Sequence, residues 1–596
     1  MSAQSHPEPA SGALPKPKAA DEFRVPRDLR VSATGLNRLL VVGSCLVENL
    51  LAEVGRAKQL HGDFVLFNNL GELPASPPQA IAAYDLQIVQ IPLRSILPDV
   101  QFARLKHHRP EDYELVFRET EERLSLFLDA AMRWNRETGI TTFVVNFFRP
   151  QQDPLGRLMP RNDLRSFSHF MERLNARLAD VVATYANSHV LDFDAIAATI
   201  GRMHVQDDHL WMLNHSSTLS DFDSAYDRNR LDPPPAISRQ FDLRIAPFFD
   251  AVYAEIEAMV RTLRGIDAVK LVIVDLDDTL WRGVIAEAGE PDPCACEGWP
   301  LGLVEALCVL KTRGIVLAIA SKNDEAIIRG LWDGLFGERL PLEQFAVVRI
   351  NWNAKADNVA EILEQVNVLP ESAVFIDDNP VERDAVRRAF PGIRTLGADL
   401  YGIRRTLLWS AETQGPFISD ESGRRTEMIQ AQVRREDTRK ALSREEFLAS
   451  LNIRITPCAI GDAQHGRFRR AFELINKTNQ FNTTGRRWTV EDMGAAFRDG
   501  LTIHAFEVAD KFTDYGLVGA AVVMGDAIVQ VVMSCRVFGL DIETAMLAHL
   551  TDGLRRAGHA QVSALFVATD RNKPCADLYA KAGFDPVGDR WVRALT

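Results

Sequence analysis

Residues 271–284 read LVIVDLDDTLWRGV. Four apolar residues run directly into a cluster of carboxylates, Asp275, Asp277 and Asp278. Burying an unpaired carboxylate costs on the order of several kcal/mol even after relaxation. The strand must therefore end at a bound cation, at a basic partner or at the surface. The apolar run predicts a strand buried on both faces of a parallel sheet.

The flanking sequence supplies the rest of such a sheet. VKLVIVDL from 269, IVLAIA at 315–320, FAVVRI at 345–350 and AVFI at 373–376 read as strands. Helical patterns at 301–313, 323–336 and 356–366 separate them. Ligand sites in open parallel sheets lie at the carboxyl ends of strands. Three such ends bring Asp275, Asp277, Ser321, Asp377 and Asp378 together, with Lys355 at a helix start between the second and third. These are the parts of a phosphoryl-transfer site. A carboxylate serves as nucleophile, a second one two residues on protonates the leaving oxygen, and a hydroxyl and an ammonium hold phosphoryl oxygens. Hard oxygen ligands suit Mg²⁺, which also makes clustered carboxylates tolerable.

With these four elements in order, the chain resembles the haloacid dehalogenase superfamily. Asp275-Leu-Asp277-Asp278-Thr279 matches its first motif, Ser321 its second, Lys355 its third and Asp377-Asp378 its fourth. The resemblance implies Asp275 as nucleophile, Asp277 as acid/base, and Ser321 and Lys355 as phosphoryl binders. It implies Mg²⁺ on Asp275, the Asp277 carbonyl and Asp377 or Asp378. The interval from Asp277 to Ser321 is too short for a large cap domain, as in members that act on bulky or macromolecule-attached substrates.

DLDDTLWRGVIAEAG, IASKND, INWNAKADN, FIDDNPVER, LINKTNQFNTTGRRWT, DYGLVG and SCRVFGLDIE make 266–596 similar to the FkbH-like family. That family joins a phosphatase-like domain to an acetyltransferase-like one. The resemblance implies loading of a three-carbon glyceryl unit from the acyl phosphate 1,3-bisphosphoglycerate, through a cysteine thioester, onto an acyl carrier protein in polyketide or related secondary metabolism. Arg282 and the loop 290–300 (EPDPCACEGWP) depart from the family pattern. No matched motif identifies the cysteine. Cys535 ranks first because SCR precedes a predicted helix whose N-terminus favours a thiolate, and Cys294 and Cys296 follow. Two rivals stand beside this reading: a plain phosphatase on a small or carrier-bound phosphate, and a carrier-binding module with vestigial catalysis.

Residues 450–596 resemble the N-acetyltransferase fold, an α+β arrangement, with Asn572, Tyr579, Gly583 and Phe584 in its final strand–helix segment. Arg536-Val-Phe-Gly539 stands where relatives carry a pyrophosphate loop. Arg536, Gly539, Asn572 and Tyr579 are thus the candidate contacts to coenzyme A or to a phosphopantetheine arm. LINKTNQFN reads as a substrate or domain-interface segment.

Residues 30–265 alternate strand and helix, with strands at 37–43, 86–91, 141–147 and 188–192, and read as a flavodoxin- or SGNH-like α/β domain. Gly43-Ser44-Cys45 resembles the first SGNH-hydrolase block, with Cys45 in the nucleophile's place, and Asn146 matches the oxyanion-donor block. The terminal D-x-x-H is not found, and Asp207, Asp208 and His209 have the wrong spacing. A partner-binding domain that kept the fold is favoured over a hydrolase.

The expected order is therefore a disordered tail (1–29), the SGNH-like domain (30–265), a Rossmann-like phosphatase domain (266–410), a charged and solvated helical linker (411–449) and the acetyltransferase-like domain (450–596). A chain of 596 residues has room for several such cores. Its net charge of −13 argues against nucleic acid or an anionic membrane as partner. No apolar run approaches a membrane span. Seven scattered cysteines fit reduced thiols in a cytoplasm, and Cys294-Ala-Cys296 lacks the second pair that a zinc site needs.

Overall fold

The computed structural model describes residues 18–58, 60–68, 72–102, 105–152, 155–206, 218–221, 224–285, 293–418, 425–431 and 443–595. Three sheets organise them. The first comprises β1 (Arg38–Gly43), β2 (His61–Leu66), β3 (Leu86–Gln90), β4 (Thr142–Val145) and β5 (Ser188–Leu191). Its order is β2-β1-β3-β4-β5 and every pairing is parallel. Alternate β1 residues feed opposite cores, Leu40 and Val42 on one face and Leu39 and Val41 on the other. A parallel strand covered on both sides needs that pattern.

The second sheet repeats this logic with β6 (Leu271–Val274), β7 (Val316–Ser321), β8 (Val347–Ile350), β9 (Ala373–Ile376) and β10 (Arg394–Leu396). Its order is β10-β9-β6-β7-β8, again all parallel. Val272 and Val274 face one core, Leu271 and Ile273 the other. The central strand β6 thus lies between β9 and β7, and the carboxyl ends of all three open on one edge.

The third sheet, β11 (Arg454–Ile460), β12 (Leu501–Ala509), β13 (Asp514–Met524), β14 (Ala527–Met533), β15 (Gln561–Leu565), β16 (Asp585–Val587) and β17 (Arg590–Ala594), has the order β11-β12-β13-β14-β15-β17-β16. It is antiparallel apart from β14 and β15, which pair in parallel only at Ala527↔Ser563 and Ile528↔Ala564. Beyond that contact the two strands separate, and residues 481–483 fill the notch. Met533 N–H donates to Phe481 O, Thr483 N–H to Val531 O, and Val567 N–H to Thr483 O.

Several expectations need correction. The tail reading fails over 20–29, where Ala20–Arg24 is helical, Val25 and Leu29 are buried, and Phe23 packs edge-on to Trp409; these apolar residues lie in an otherwise polar segment. Residues 1–17 lie outside the described residues. The solvated-linker reading fails over 425–431, where Met428 and Ile429 are buried and Gln430 donates to the carbonyls of Glu343 and Phe345. The helix expected at 573–582 is two short turns, Lys573–Cys575 and Leu578–Lys581.

Helix Ile245–Arg264 of the first domain leads into the second through a buried ion network. Arg261 donates to Glu412 (2.7 Å), Asp267 and the Ser32 carbonyl (2.6 Å). Arg394 bridges the carbonyls of Leu29, Asp267 and Glu371.

Candidate active site

The carboxyl edge of the second sheet gathers the acidic residues. Asp275 directly follows β6, and its main-chain N–H donates to Ile376 O of β9 (2.9 Å), which holds the two strand ends in step. Lys355 opens the helix Lys355–Val366. Its Nζ lies 2.8 Å from Asp275 Oδ2 and 2.6 Å from Asp377 Oδ2, and all three residues are buried. Burial, reinforced by the Asp377 charge and opposed by Lys355, raises the Asp275 pKa to about 7. Burial likewise raises Asp377. For Lys355, burial pulls the other way but the two carboxylates outweigh it, so the ammonium is held more firmly.

The backbone is shaped to hold this cluster. A Cβ at Gly397, which has φ of +125°, would lie 1.9 Å from Asp377 O, so only glycine allows β10 to close on the acidic turn. Arg383 Nη1 donates to the carbonyls of Asp377 (2.6 Å) and Asp378 (2.5 Å). Thr279 Oγ1 accepts from Asp378 N–H (3.0 Å) and lies 3.2 Å from Asp378 Oδ1.

Oxygens of Asp275, Asp377 and Asp378 all lie within 4.8 Å of one another, the group among the described residues able to share a cation. Asp275 Oδ1 is buried and accepts no hydrogen bond. Leaving a buried acceptor unsatisfied costs free energy, and a hard divalent cation would satisfy it. The residues therefore fit Mg²⁺. The Asp277 carboxylate lies outside this group.

Two residues that the sequence reading did not assign hold Asp277 instead. Trp281 Nε1 donates to Asp277 Oδ1 (2.8 Å), and Asn323 Nδ2 donates to Oδ2 (2.7 Å). Asn323 Nδ2 also lies 3.4 Å from Ser321 Oγ, which links the ends of β6 and β7. Both residues stand inside the quoted motif phrases, but only the fold reveals their target. If Asp277 protonates the leaving oxygen, Asn323→Ala should lower kcat for alkyl phosphomonoesters by roughly 10²-fold. The loss should be far smaller for p-nitrophenyl phosphate, whose leaving group needs no proton. Equal losses on both substrates would remove the positioning role.

The remaining candidates are dispersed. Cys535 lies in the short turn Cys535–Val537, ahead of the helix Ile542–Arg556, so it does not stand at that helix's N-terminus; its side chain is outside the described part. Arg536 is buried against Ser534 and Met428. Gly539 has φ of +75°. Asn572 donates to Asn482 O and Val567 O, and Tyr579 is buried with its hydroxyl 3.4 Å from Leu565 O. Asn572 thus braces the segment that fills the β14/β15 notch, and Tyr579 anchors the end of β15.

In the first domain, Cys45 begins the helix Cys45–Lys58 and is exposed. Asn146 Nδ2 donates to Asp192 (2.7 Å) and its Oδ1 accepts from Asp194 N–H (3.2 Å), which is a bracing role beside the helix Phe193–Ile200. Asp207, Asp208 and His209 lie outside the described residues. Cys294 is exposed and Cys296 buried, on a short turn whose Ala295 carbonyl accepts from Arg282 N–H (3.0 Å). Among the described residues no helix is long and apolar enough to cross a membrane.

No protein-family model and no curated protein matches the chain. Among solved structures, one is described as the N-terminal part of the protein BF1531 from Bacteroides fragilis, containing a phosphatase domain complexed with Mg. It is similar over 66% of this chain and 99% of that one, with 19% identity and a TM-score of 0.43.

Proposed function

We propose that the protein is a Mg²⁺-dependent phosphoryl-transfer enzyme with Asp275 as its nucleophile. The observation that carries this is the Asp275 carboxylate, with one oxygen on Lys355 and the other buried without a partner among acidic neighbours. An Asp275 oxygen attacks phosphorus as the bond to the leaving oxygen breaks, and Asp277 protonates that oxygen. Water then attacks the phosphoaspartate, giving its proton to Asp277 and releasing phosphate and the free carboxylate. Lys355 draws phosphoryl charge to the nucleophile, and Ser321 offers a hydroxyl at the same strand edge. A cation held by Asp275, Asp377 and Asp378 would supply charge neutralisation of the phosphoryl oxygens.

The finer proposal follows the family resemblance: the substrate is the acyl phosphate 1,3-bisphosphoglycerate, whose acyl carbon a cysteine thiolate attacks, expelling the C1 phosphate as the thioester forms. Asp275 then takes the C3 phosphoryl group, with Asp277 protonating the freed hydroxyl oxygen, and the glyceryl unit passes by thiol exchange to an acyl carrier protein. Supporting it is the position of Cys294. This exposed thiol sits on the turn that Arg282 ties to the loop after β6, through the carbonyls of Cys294 (3.3 Å), Ala295 (3.0 Å) and Glu297 (2.5 Å). Cys294 therefore replaces Cys535 as the first candidate.

One experiment tests both levels. With 1,3-bisphosphoglycerate and Mg²⁺ the protein should release phosphate and gain one glyceryl mass, mapped by peptide analysis to Cys294. Excess chelator should block removal of the C3 phosphate and leave a phosphoglyceryl adduct, and added Mg²⁺ should restore the glyceryl mass. Phosphate release without an adduct or carrier loading would leave a plain phosphatase. No release from acyl phosphates or phosphomonoesters would remove the phosphoryl-transfer reading itself.

A further inference from the structure

The segment LINKTNQFN lies at the seam between the second and third domains, where Lys270 Nζ donates to Lys477 O (2.7 Å). Lys270 precedes β6 and Ser372 precedes β9, so this seam is at the amino ends of the strands, opposite Asp275. It opens into a cleft of about 310 Å³, to which Thr262, Leu263 and Arg264 at the end of the first domain also contribute, large enough for a small ligand. Lys270 and Glu371 contribute to one wall, and Lys477, Asn479, Arg487 and Arg571 to the other.

The charges on these walls are unevenly matched. Glu473 is engaged by Lys477 (2.8 Å) and Arg470 (2.7 Å), and Asp267 by Arg261. Among the described residues Arg487 reaches only neutral acceptors, the carbonyls of Ile475 (3.0 Å) and Thr478 (2.7 Å) and the Asn479 side chain. Its Nε and one Nη2 hydrogen remain uncommitted. Arg571 makes no hydrogen bond or ion pair among the described residues. Arg487 and Arg571 are both exposed at the cleft, whose walls withdraw part of the water around the Arg487 guanidinium. That desolvation, with the like charge of Arg571, lowers its pKa to about 10. Glu371 is the remaining carboxylate of the lining, and two like-charged guanidiniums sharing a cleft repel each other unless an anion joins them. In a chain of net charge −13, such a pair is a local attractor for anions.

We infer that this cleft is a second anion site, in which Arg487 and Arg571 grip a phosphoryl group of a small phosphate-bearing ligand. Planar guanidinium forks suit the tetrahedral oxygens of a phosphoryl group, while Asn479 fixes the Arg487 fork. Lys270 and Lys477 lie along the walls, where they add long-range attraction. The ligand does not reach Asp275, because the sheet separates the two edges.

Isothermal titration with pyrophosphate, orthophosphate and glycerol phosphate tests the site on the full chain. The titrations run at matched ionic strength, with chelator present so that the acidic cluster takes up no metal-linked phosphate. Saturable one-site binding of at least one probe is expected. Arg571→Ala should weaken it about tenfold or more, the loss of one charge-assisted contact, and Arg571→Lys should recover part of that. The Asp275→Asn protein should bind like the wild type, which places the site away from the acidic cluster. A preference for glycerol phosphate identifies an organic phosphomonoester as the ligand, and equal affinities identify phosphate itself. No saturable heat with any probe would overturn the inference. So would undiminished binding in a folded Arg487→Ala/Arg571→Ala protein.

Discussion

Asp275→Asn should give a folded protein that releases phosphate roughly 10³-fold more slowly or worse, since an amide cannot form the phosphoaspartate. Its fold should survive because the substitution keeps the shape of the side chain. It also removes one of the buried carboxylates that share Lys355, so thermal stability should hold or rise. The amide can still accept from Lys355 but contributes no negative charge to the Asp275/Asp377/Asp378 cluster, and Mg²⁺ affinity should fall with activity. Phosphate release together with thermal unfolding checks both halves. Wild-type turnover in the folded variant would sink the assignment of Asp275 as nucleophile.

The second large effect is on stability. Arg261→Ala should destabilise the protein by about 3–5 kcal/mol, because Glu412 would be left buried, and Asp267 half-buried, without their cation. Arg261 is itself buried, and Glu412 Oε2 already has no partner. The loss should appear as a lower midpoint in chemical denaturation, with the first and second domains uncoupling. Arg261→Met paired with Glu412→Leu should recover much of that stability by replacing the ion pair with apolar volume. A midpoint unchanged by Arg261→Ala would mean that the domains are held by other contacts, such as the burial of Val25 and Leu29.

Legibility followed burial. The strands β6, β7 and β9 are apolar without interruption because both faces are covered, and such runs announce themselves locally. β2 (HGDFVL) escapes the sequence pattern because it lies at the sheet edge, where Asp63 is half-buried and Leu66 exposed. β10 has only three residues. Met428 and Ile429 looked like part of a charged connector because arginines dominate their neighbourhood, and only the packing shows that they are buried. Asn572 and Tyr579 stand in a matched motif, but only the fold shows that Asn572 bonds Asn482 and Val567 and that Tyr579 reaches Leu565.

What the sequence determined by itself was the order of the chemistry-bearing residues. It placed a carboxylate after each of two strands, a serine after a third and a lysine at a helix start. Local spacing suffices for that, since strand ends and helix starts are properties of short windows. Tertiary structure decided the polar partnerships. Asn323 reaches Asp277, Arg261 reaches Glu412, and Arg487 meets Arg571 across separations that no periodicity encodes. Whether a buried oxygen such as Asp275 Oδ1 finds a donor depends on every element packed around it. The need for a cation could be suspected from the chain, but the oxygen that requires one is visible only in the fold.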